Sequence, residues 1–308
     1  MKIDIIIPVY NSENCLDELV KQLQNSLEKI SYHIYFVNDH SQDNSWQKLK
    51  ELTYINRNIV SINLAKNFGQ DCAIMAGLNQ SKGDYIVIMD DDLQHSPSDI
   101  TLLIDKLKET QNDVCYGRYN RKNQSIFKNL GSWLNDKLAN IVIKKPKHIY
   151  LSPFKVLNKS IVQKIIQYDG PYPYIDGLIF RFSSRITEID INHHKRFAGY
   201  GNYNLYKSTS LWLRVLTNFS VVPLRFATYV GIIASLSGFL LGLYFIMRHF
   251  FGMYSPEGWP SLIVTILVIG GIQLLGMGII GEYVGRSFIY QSKEPQFIID
   301  KIIRDDKQ

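Results

Sequence analysis

The sequence predicts an α/β fold with a mostly parallel sheet, followed by two membrane-spanning helices. Over residues 1–90, continuous apolar runs alternate with segments in which leucine and isoleucine recur at helical spacing. Such runs are typical of strands buried on both faces, and their alternation with helices indicates a parallel sheet covered by helices. Farther along, residues 226–247 and 258–281 carry no charged side chain, and each segment exceeds the roughly 20 apolar residues that span a bilayer.

Four strands and three helices are predicted in order along the first part of the chain. The strands are 3–10, 32–39, 59–65 and 84–90, and the helices are 11–30, 45–54 and 69–80. The first helix is the clearest example, because Leu16, Leu19 and Leu23 lie on one face and Ser12 can serve as its N-cap. In a parallel sheet the ligand binds beyond the carboxyl ends of the strands, so the residues that follow each strand become candidates.

Two further amphipathic helices are predicted, at 125–143 and 204–220. The first is compatible both with the membrane interface and with packing on the sheet, whereas the second leads directly into the first span and favours the interface. Two buried core helices are the alternative to the spans, but core helices rarely run this long without a charge. The predicted organisation is a cytoplasmic domain over 1–203, a juxtamembrane amphipathic helix over 204–222, a two-helix transmembrane region over 223–285 and a cytoplasmic tail over 286–308.

Basic residues flank the predicted spans and set their orientation. Lys195, Arg196, Lys207, Arg214 and Arg225 precede the first span, and Arg286 and Lys293 follow the second. The loop between the spans is nearly free of them, so both chain ends are expected in the cytoplasm and residues 249–259 outside. The net charge of +6 fits a domain that lies on an anionic membrane surface, and no clustered basic motif indicates a nucleic-acid partner.

The cysteines and the first residues indicate a cytoplasmic domain without a cleaved leader. Cys15, Cys72 and Cys115 are far apart and form no CxxC pair, which suits a reducing compartment and argues against a zinc site. The opening "MKIDIIIPVYN" is not expected to be a signal peptide, because its apolar run is short and Pro8 interrupts it.

Three adjacent aspartates, Asp90, Asp91 and Asp92, follow the fourth predicted strand. Adjacent carboxylates repel one another unless a cation lies among them, and hard divalent cations prefer oxygen ligands. In an extended chain Asp90, Asp92 and Gln94 project to one side while Asp91 points elsewhere. The sequence therefore predicts a Mg²⁺ or Mn²⁺ site formed by Asp90, Asp92 and Gln94, with a solvated acidic turn as the alternative.

Polar residues also follow the first two predicted strands, namely Tyr10-Asn11 and Asn38-Asp39. Because parallel strands end at one edge of the sheet, these residues are expected to converge with the three aspartates. The chain contains neither GxGxxG after its first strand nor GxxxxGK[ST], so the two commonest nucleotide-binding motifs are excluded.

Four ordered motifs resemble the family 2 glycosyltransferases of the GT-A fold. They are "IDIIIPVYN", "VNDHSQDNS", "NFGQDCAIMAGL" and "VIMDDDLQHSP". With the paired spans and "GGIQLLGMGIIGEYVGR", they are similar more narrowly to the polyprenyl-phosphate glycosyltransferases, the group of dolichol-phosphate mannose synthase and bacterial undecaprenyl-phosphate sugar transferases. The resemblance covers nearly the whole chain. It implies a GT-A, Rossmann-like fold and a multi-pass protein of the bacterial cytoplasmic membrane that takes part in cell-envelope glycan modification.

The same resemblance implies a role for each matching residue. The expected donor-binding residues are Pro8, Tyr10, Asn11, Val37, Asp39, Asp90 and Asp91, and the expected metal ligands are Asp90, Asp92 and Gln94. The expected acceptor-phosphate residues are Arg118, Lys128, Ser132 and Arg196, and the expected catalytic residues are Asp92, Arg118, Asp176 and Arg196. Asp176 is interpreted as a base or a sugar-hydroxyl ligand, with a turn residue before Gly177 as the alternative.

The chain departs from the family pattern at a few positions. Ser12 stands where many members have an acidic residue, and Gly201-Asn202 stands where many have Ser-Lys. The missing lysine would have met the donor phosphates, so Asn202 weakens that assignment. The chain also lacks the Arg-Trp pair of the processive polysaccharide synthases, which disfavours a polymerase.

The implied reaction is inverting, metal-dependent transfer of a sugar from a nucleotide sugar to a lipid phosphate. A phosphate monoester has a second pKa near ~6 and is already anionic at neutral pH, so the acceptor needs a basic pocket more than a strong base. UDP is favoured over GDP by resemblance to bacterial members, and the sugar is not specified. A membrane-tethered nucleotide-sugar binding or scaffold protein without turnover is the alternative, and a homo-oligomer through the spans is left open.

Overall fold

The computed structural model describes residues 1–119, 149–191, 222–251 and 258–305 of the chain. The chain divides into two compact units, one made of Met1–Tyr203 with Lys293–Gln308 and the other of Asn204–Ser292. Both predicted amphipathic helices, at 125–143 and 204–220, lie outside the described residues.

The first unit is an eight-stranded sheet with helices on both faces. Its strands are β1 (Lys2–Val9), β2 (Ser31–Asn38), β3 (Ile59–Leu64), β4 (Tyr85–Ile88), β5 (Val114–Tyr119), β6 (Lys155–Asn158), β7 (Ile186–Ile191) and β8 (Ile299–Ile303). Its helices are α1 (Leu16–Ser26), α2 (Ser45–Ile55), α3 (Gln70–Gln80), α4 (Asp99–Thr110), α5 (Lys159–Ile165) and α6 (Ile175–Phe182). All the strands and helices predicted over residues 1–90 are present, with their ends shifted by a few residues.

The strand order is β7-β5-β6-β4-β1-β2-β3-β8. The four predicted strands form its centre, where β1 pairs in parallel with β2 and β4, and β2 pairs in parallel with β3. Antiparallel pairs involve β6, which lies between β4 and β5, and β8 at one edge. The prediction of an α/β fold with a mostly parallel sheet is therefore confirmed.

The core explains why the first strand is apolar without interruption. Ile3, Ile5 and Ile7 of β1 are fully buried in one cluster with the leucines of α1 and α4. On the opposite face Gly77 brings α3 close to β1, because a Cβ at Gly77 would lie 2.5 Å from Cγ2 of Ile6. Both faces of β1 are covered, as expected for a strand inside a parallel sheet.

The start of α1 differs from the prediction. The helix begins at Leu16, with Cys15 rather than Ser12 at the N-cap position. Residues 12–15 form a turn in which the amide of Cys15 donates to the carbonyl oxygen of Ser12 at 3.0 Å. Asp17 and Glu18 then complement the positive end of the helix dipole in the first turn.

Residues Lys293–Gln308, which make up most of the predicted tail over 286–308, belong to the first unit. Residues Ile299–Ile303 form β8, which pairs antiparallel with β3 at the edge of the sheet. The sequence analysis missed this strand because it is short and carries two charged residues among its five. Its first residues lie beside the carboxyl end of β3, and β7 ends at the same edge because it runs parallel to the central strands.

The second unit contains two long apolar helices, α7 (Val222–Phe250) and α8 (Trp259–Gln291). Large apolar side chains are exposed along both, including Ile232, Ile233, Leu236, Phe239, Leu262, Ile266, Leu274, Met277 and Phe288. Within the described residues one segment, Val268–Gln291, is long and apolar enough to cross a membrane, and Ala227–Leu241 is a shorter apolar segment. The prediction of two spans is thus supported for α8 and not confirmed for α7.

Candidate active site

A cavity of about 310 Å³ lies at the carboxyl ends of the four central strands. It is lined by Pro8, Val9, Tyr10, Asp39, Asn67, Gly69, Gln70, Asp90, Asp91 and Asp92. Each of the loops after β1, β2, β3 and β4 contributes to it, at the place where ligands bind in open α/β sheets. The structure therefore brings together six of the predicted site residues, namely Pro8, Tyr10, Asp39, Asp90, Asp91 and Asp92.

Each of the four loops contains one residue with left-handed backbone geometry. These residues are Asn11 (φ 55°), His40 (φ 56°), Gly69 (φ 94°) and Leu93 (φ 61°). Glycine and asparagine adopt this region readily, but a leucine there costs of the order of 1–3 kcal/mol and persists only where its surroundings hold it. The rim of the cavity is therefore shaped by tertiary contacts as well as by local preference.

Asp39 fixes the loop after β3 against the loop after β2. Its Oδ1 accepts from the amide of Phe68 at 2.7 Å, and its Oδ2 accepts from the amide of Gly69 at 2.8 Å. Burial raises the pKa of Asp39, and the two amide hydrogen bonds oppose that effect. The carboxylate positions the start of α3 at the cavity, and its expected role towards the nucleotide stays a prediction.

Two other predicted donor residues lie just outside the cavity lining. Val37 is fully buried in β2, and its side chain packs near Gly77 of α3. Asn11 is exposed and joins two loops, because its amide donates to Oγ of Ser41 at 3.0 Å and its Oδ1 accepts from the amide of Gln42 at 2.8 Å. The structure thus gives both residues positions that support the cavity.

The geometry of the aspartate run corrects the reasoning behind the predicted metal set. Strand β4 ends at Ile88, and Leu93 has left-handed geometry, so residues 90–94 are not extended. Asp91 lines the cavity together with its two neighbours, whereas Gln94 is absent from the lining and its amide donates to Oδ1 of Asp92 at 3.1 Å. The two-residue alternation that grouped Gln94 with Asp90 and Asp92 does not hold here, and a ligand role for Gln94 stays a prediction.

Asp91 is the most unusual carboxylate in the cavity. Its Oδ2 is buried and has no hydrogen-bond partner within the described ranges. Burial raises the pKa of Asp91 to about 6, a shift that neighbouring Asp92 increases and that hydrogen bonds from Ser12 and from the backbone of Tyr10 oppose. A carboxylate that is ionised at neutral pH without a partner is suited to a cation or to a hydrogen-bond donor of a ligand.

The charged groups that line the cavity decide whether it fits a divalent cation. Its described lining contains four carboxylates and no lysine or arginine, and one buried carboxylate oxygen lacks a partner. No group of three or more His, Cys, Asp or Glu side chains in the described part of the chain is arranged as a complete metal site. This combination fits a Mg²⁺-like ion, which takes one or two carboxylates from the protein and completes its shell with water and substrate phosphates.

Asp176 belongs to a second polar cluster, which begins one residue beyond the cavity wall. Its Oδ1 accepts from the hydroxyl of Tyr116 at 2.8 Å and forms an ion pair with Nζ of buried Lys155. Asp71 follows the cavity-lining Gln70 and accepts from the amide of Ile175 at 3.2 Å. Burial raises the pKa of Asp71 to about 6, Asp176 adds to the shift and Lys155 opposes it. The structure therefore shows Asp176 as an ion-paired residue rather than an isolated turn residue.

Arg118 lies within β5. Its guanidinium donates to Glu188 and to Asp190, both at 2.6 Å, and both carboxylates belong to β7. An acceptor phosphate that binds Arg118 must therefore compete with two carboxylates. The other expected acceptor residues, Lys128, Ser132 and Arg196, lie outside the described residues.

Sequence reasoning assigned no role to Asn67, Gly69 and Gln70, which line the cavity. Gln70 is the most informative of them, because its Nε2 donates to Oδ1 of Asp90 at 2.9 Å and ties the start of α3 to the aspartate run. These residues belong to the quoted motif "NFGQDCAIMAGL" and follow the third strand. The strand-end rule used for the other loops would have identified them.

The chain is similar to known proteins in both sequence and fold. The sequence model of "Glycosyl transferase family 2" matches residues 4–166, a range that contains every cavity-lining residue named above. The chain is 30% identical over 308 residues to a "Prophage bactoprenol glucosyl transferase homolog" of Escherichia coli, covering 98% of this chain and 99% of that protein. It is 31% identical over 307 residues to an "Undecaprenyl-phosphate 4-deoxy-4-formamido-L-arabinose transferase" of Proteus mirabilis, covering 98% and 94%.

A solved structure gives an independent comparison of the fold. Glucosyl-3-phosphoglycerate synthase of Mycobacterium tuberculosis, in complex with Mn²⁺, UDP-glucose and phosphoglyceric acid, superposes with a TM-score of 0.54. The two chains are 13% identical, and the match covers 71% of this chain and 78% of the other. At this identity the likeness shows a GT-A-like fold and no more.

Proposed function

Because the chain belongs to glycosyl transferase family 2, we propose that it transfers a sugar from a nucleotide sugar, with a UDP-sugar favoured, to the phosphate of a polyprenyl phosphate. The chain is a glycosyltransferase, and the proposal concerns its donor, acceptor and metal. The observation that carries the proposal is the cavity lined by carboxylates at the carboxyl edge of the sheet. The same chain is similar over nearly its whole length to relatives named for bactoprenol and undecaprenyl phosphate.

The donor binds in the cavity at the four strand ends. Tyr10 is 48% exposed there and offers an aromatic face to a nucleotide base. Asp90 and Asp92 would hold the divalent cation, Mg²⁺ or Mn²⁺. A bound cation neutralises the charge of the departing diphosphate. Asp91, whose Oδ2 is buried without a partner among the described residues, accepts a hydrogen bond from the donor or contributes charge to the cation.

The acceptor reacts as an anion. One oxygen of the lipid phosphate attacks the anomeric carbon of the sugar, the bond from that carbon to the diphosphate oxygen breaks, and the configuration inverts. The acceptor phosphate is already ionised at neutral pH because its second pKa is near ~6, so no strong base is needed. Arg118, Lys128, Ser132 and Arg196 orient it, and Arg118 exchanges Glu188 or Asp190 for the phosphate.

Asp176 is proposed to act on the sugar rather than on the acceptor. It is paired with buried Lys155, and its helix α6 contacts Asp71 of α3 next to the cavity-lining Gln70. A carboxylate in this position accepts hydrogen bonds from sugar hydroxyls. Lys155 and Tyr116 hold its orientation.

Chain connectivity supports two spans. Residues on both sides of the apolar helices belong to one sheet, so the segment between β7 and β8 crosses a membrane an even number of times. If α8 crosses, a second crossing must precede it. Helix α7 has 29 residues and a length of about 43 Å, which exceeds the roughly 30 Å hydrocarbon core. The protein is accordingly proposed to be a multi-pass protein of the bacterial cytoplasmic membrane with its sheet in the cytoplasm.

The proposal is tested with the purified full-length chain in detergent. A panel of labelled UDP- and GDP-sugars is incubated with undecaprenyl phosphate and Mg²⁺ or Mn²⁺, and the lipid product and the released nucleoside diphosphate are quantified. We expect one donor to give a sugar-linked lipid phosphate, and free undecaprenol to be inert as the matched control acceptor. Binding of a nucleotide sugar without turnover on any lipid phosphate would instead support the tethered binding protein.

A further inference from the structure

A continuous series of side-chain hydrogen bonds crosses the carboxyl edge of the sheet from β8 to β1. Nδ2 of Asn63 donates to Oδ2 of Asp300 at 3.1 Å, and Nδ2 of Asn38 donates to Oδ1 of Asn63 at 2.7 Å. Oγ of Ser41 then donates to Oδ1 of Asn38 at 2.6 Å, and the amide of Asn11 donates to Oγ of Ser41 at 3.0 Å. The series links four neighbouring strands or their loops, and we refer to these five residues as the edge relay.

The edge relay has a fixed polarity. Since the carboxylate of Asp300 only accepts, Asn63 must present its Nδ2 to it and its Oδ1 to Asn38. Asn38 is 1% exposed and donates to Asn63, so its Oδ1 is available to the Ser41 hydroxyl. Hydrogen bonds in such a series polarise one another, and a buried amide that loses its partner is costly. A change at Asp300 therefore reaches Ser41 through two amide groups.

The far end of the edge relay supports the cavity. Asn11 has left-handed geometry, follows the cavity-lining Tyr10, and accepts from the amide of Gln42 through its Oδ1. The amide of cavity-lining Asp39 donates to the carbonyl oxygen of Val9 at 2.9 Å, between the same two loops. The loops after β1 and β2 are thus held at the spacing that the cavity requires.

We infer that Asp300, through the edge relay, is a positioning residue for the donor cavity. The inference rests on the proposed function, because it assigns the cavity to a nucleoside diphosphate. Strand β8 follows the apolar helix α8 directly in sequence, and the carbonyl oxygen of Ile298 accepts from the amide of Ala65 at 2.9 Å. The segment that returns from the apolar helices therefore completes the donor site, although Asp300 itself is not among the lining residues.

The test uses the full-length chain in detergent and a charge-exchange pair. Asp300→Ala removes the last acceptor, whereas Asp300→Asn keeps an oxygen that can accept from Asn63. Asn63→Asp places two carboxylates against each other, and the double variant N63D/D300N restores one donor and one acceptor. Lys301→Ala is the control, because Lys301 is an exposed residue of the same strand, pairs with Asn63 in the register of β3 and β8, and makes none of the relay's hydrogen bonds.

Two measurements are made on every variant. Affinity for UDP with Mn²⁺ is measured by calorimetry, and hydrogen exchange without ligand is followed in the loops at 10–12 and 40–43. We expect Asp300→Ala to weaken UDP binding about fivefold, the loss of one net hydrogen bond, and to speed exchange in both loops. Asn63→Asp should have a larger effect on both UDP affinity and loop exchange. The double variant N63D/D300N should resemble the wild type, as should the single variants Asp300→Asn and Lys301→Ala. The thermal midpoints of the double variant, of Asp300→Asn and of Lys301→Ala should stay close to the wild-type value.

The outcomes separate the relay from the proposed function. Unchanged loop exchange in both Asp300→Ala and Asn63→Asp would overturn the edge relay, whatever the binding data show. Faster exchange in a chain whose wild type binds neither UDP nor GDP would keep the relay and overturn the donor assignment. A similar loss of UDP affinity in Lys301→Ala would mean that strand docking, and not Asp300, positions the cavity.

Discussion

At the scale of single residues, burial without a partner decides the chemistry of Asp91. One of its oxygens is buried and has no partner within the described residues, and its pKa is raised to about 6. Above that pH the folded protein holds a charge that the hydrogen bonds from Ser12 and from the backbone of Tyr10 compensate only in part. Burying this charge lowers the stability of the unliganded protein. A ligand that supplies a positive charge or a hydrogen-bond donor recovers that free energy when it binds. Binding sites commonly lose stability in this way in exchange for activity.

Asp91→Asn should stabilise the unliganded protein at alkaline pH. The unfolded carboxyl group titrates near 3.8 and the folded one near 6, so stability falls as the pH rises through this window. The variant removes this effect and should gain about 1–3 kcal/mol at pH 8 and nearly nothing at pH 4. Thermal midpoints of the two proteins at both pH values measure it, and an equal gain at pH 4 and pH 8 would exclude the titration as the cause.

Asp92→Asn should nearly abolish transfer and leave the fold intact. The asparagine keeps the oxygen that accepts from the amide of Gln94, so the turn after β4 is retained. What is lost is a negative charge proposed to hold the cation, and EDTA should have the same effect on the wild type. Transfer rates and thermal midpoints are compared with those of Asp99→Asn, an aspartate at the start of α4 outside the cavity lining. Full activity of Asp92→Asn, or of the wild type in EDTA, would contradict the metal assignment.

At the scale of elements, one lysine holds a helix against the sheet near the active site. Lys155 of β6 is 4% exposed, pairs with Asp176 of α6, and lies 5.2 Å from the centroid of the Tyr116 ring in β5. The N-terminus of α6 also contacts Asp71 of α3. Buried ion pairs of this kind contribute little net stability, but removing one partner leaves a charge without compensation.

Lys155→Met should destabilise the protein by about 3–5 kcal/mol, because Asp176 and Asp71 would then share one buried site without a cation. Lys48→Met is the matched control, since the Lys48–Asp17 pair lies at the surface and should contribute little to stability. Urea midpoints in detergent measure both changes. Adding Asp176→Leu to Lys155→Met should recover part of the loss, and equal effects of the two lysine variants would contradict the role assigned to the buried pair.

At the scale of the whole molecule, the sheet constrains the topology of the apolar helices. Strands β7 and β8 stand at opposite ends of the strand order, but the chain leaves β7 and enters β8 at the same carboxyl edge. The end of β7 and the start of β8 therefore both lie at the edge of the sheet that carries the cavity. The acceptor proposed for this chain is a lipid, and each CH₂ group that it buries in the bilayer adds about 0.8 kcal/mol to its membrane binding. Such an acceptor does not readily leave the membrane.

Topology reporters should place both ends of the chain in the cytoplasm. A reporter fused after Gln308 and one inserted before Met1 should read as cytoplasmic, because β1 and β8 belong to one sheet. A reporter inserted within residues 252–257 should read as external if α7 and α8 both cross. A cytoplasmic signal from all three positions would mean that neither helix crosses, and an external signal after Gln308 would contradict the orientation.

The sequence predicted which residues at the strand ends lie together at the cavity. Pro8, Tyr10, Asp39 and the three aspartates follow from the rule that parallel strands end at a common edge, together with the family motifs. Gln94 shows where the reasoning failed. Its grouping with Asp90 and Asp92 assumed an extended chain, and a left-handed Leu93 changes the direction of the next side chain. Single backbone angles of this kind depend on surrounding contacts that a local pattern does not contain.

The sequence by itself determined the alternation of strands and helices, the polar residues at the strand ends and the two apolar segments, because hydrophobic periodicity records local burial. Only the tertiary structure decided which distant residues meet. Asn63 meets Asp300 across 237 positions, Lys155 meets Asp176, and Gln70 meets Asp90. These contacts depend on the order and direction of strands in the sheet, which bring residues together without leaving a periodic signal in either segment.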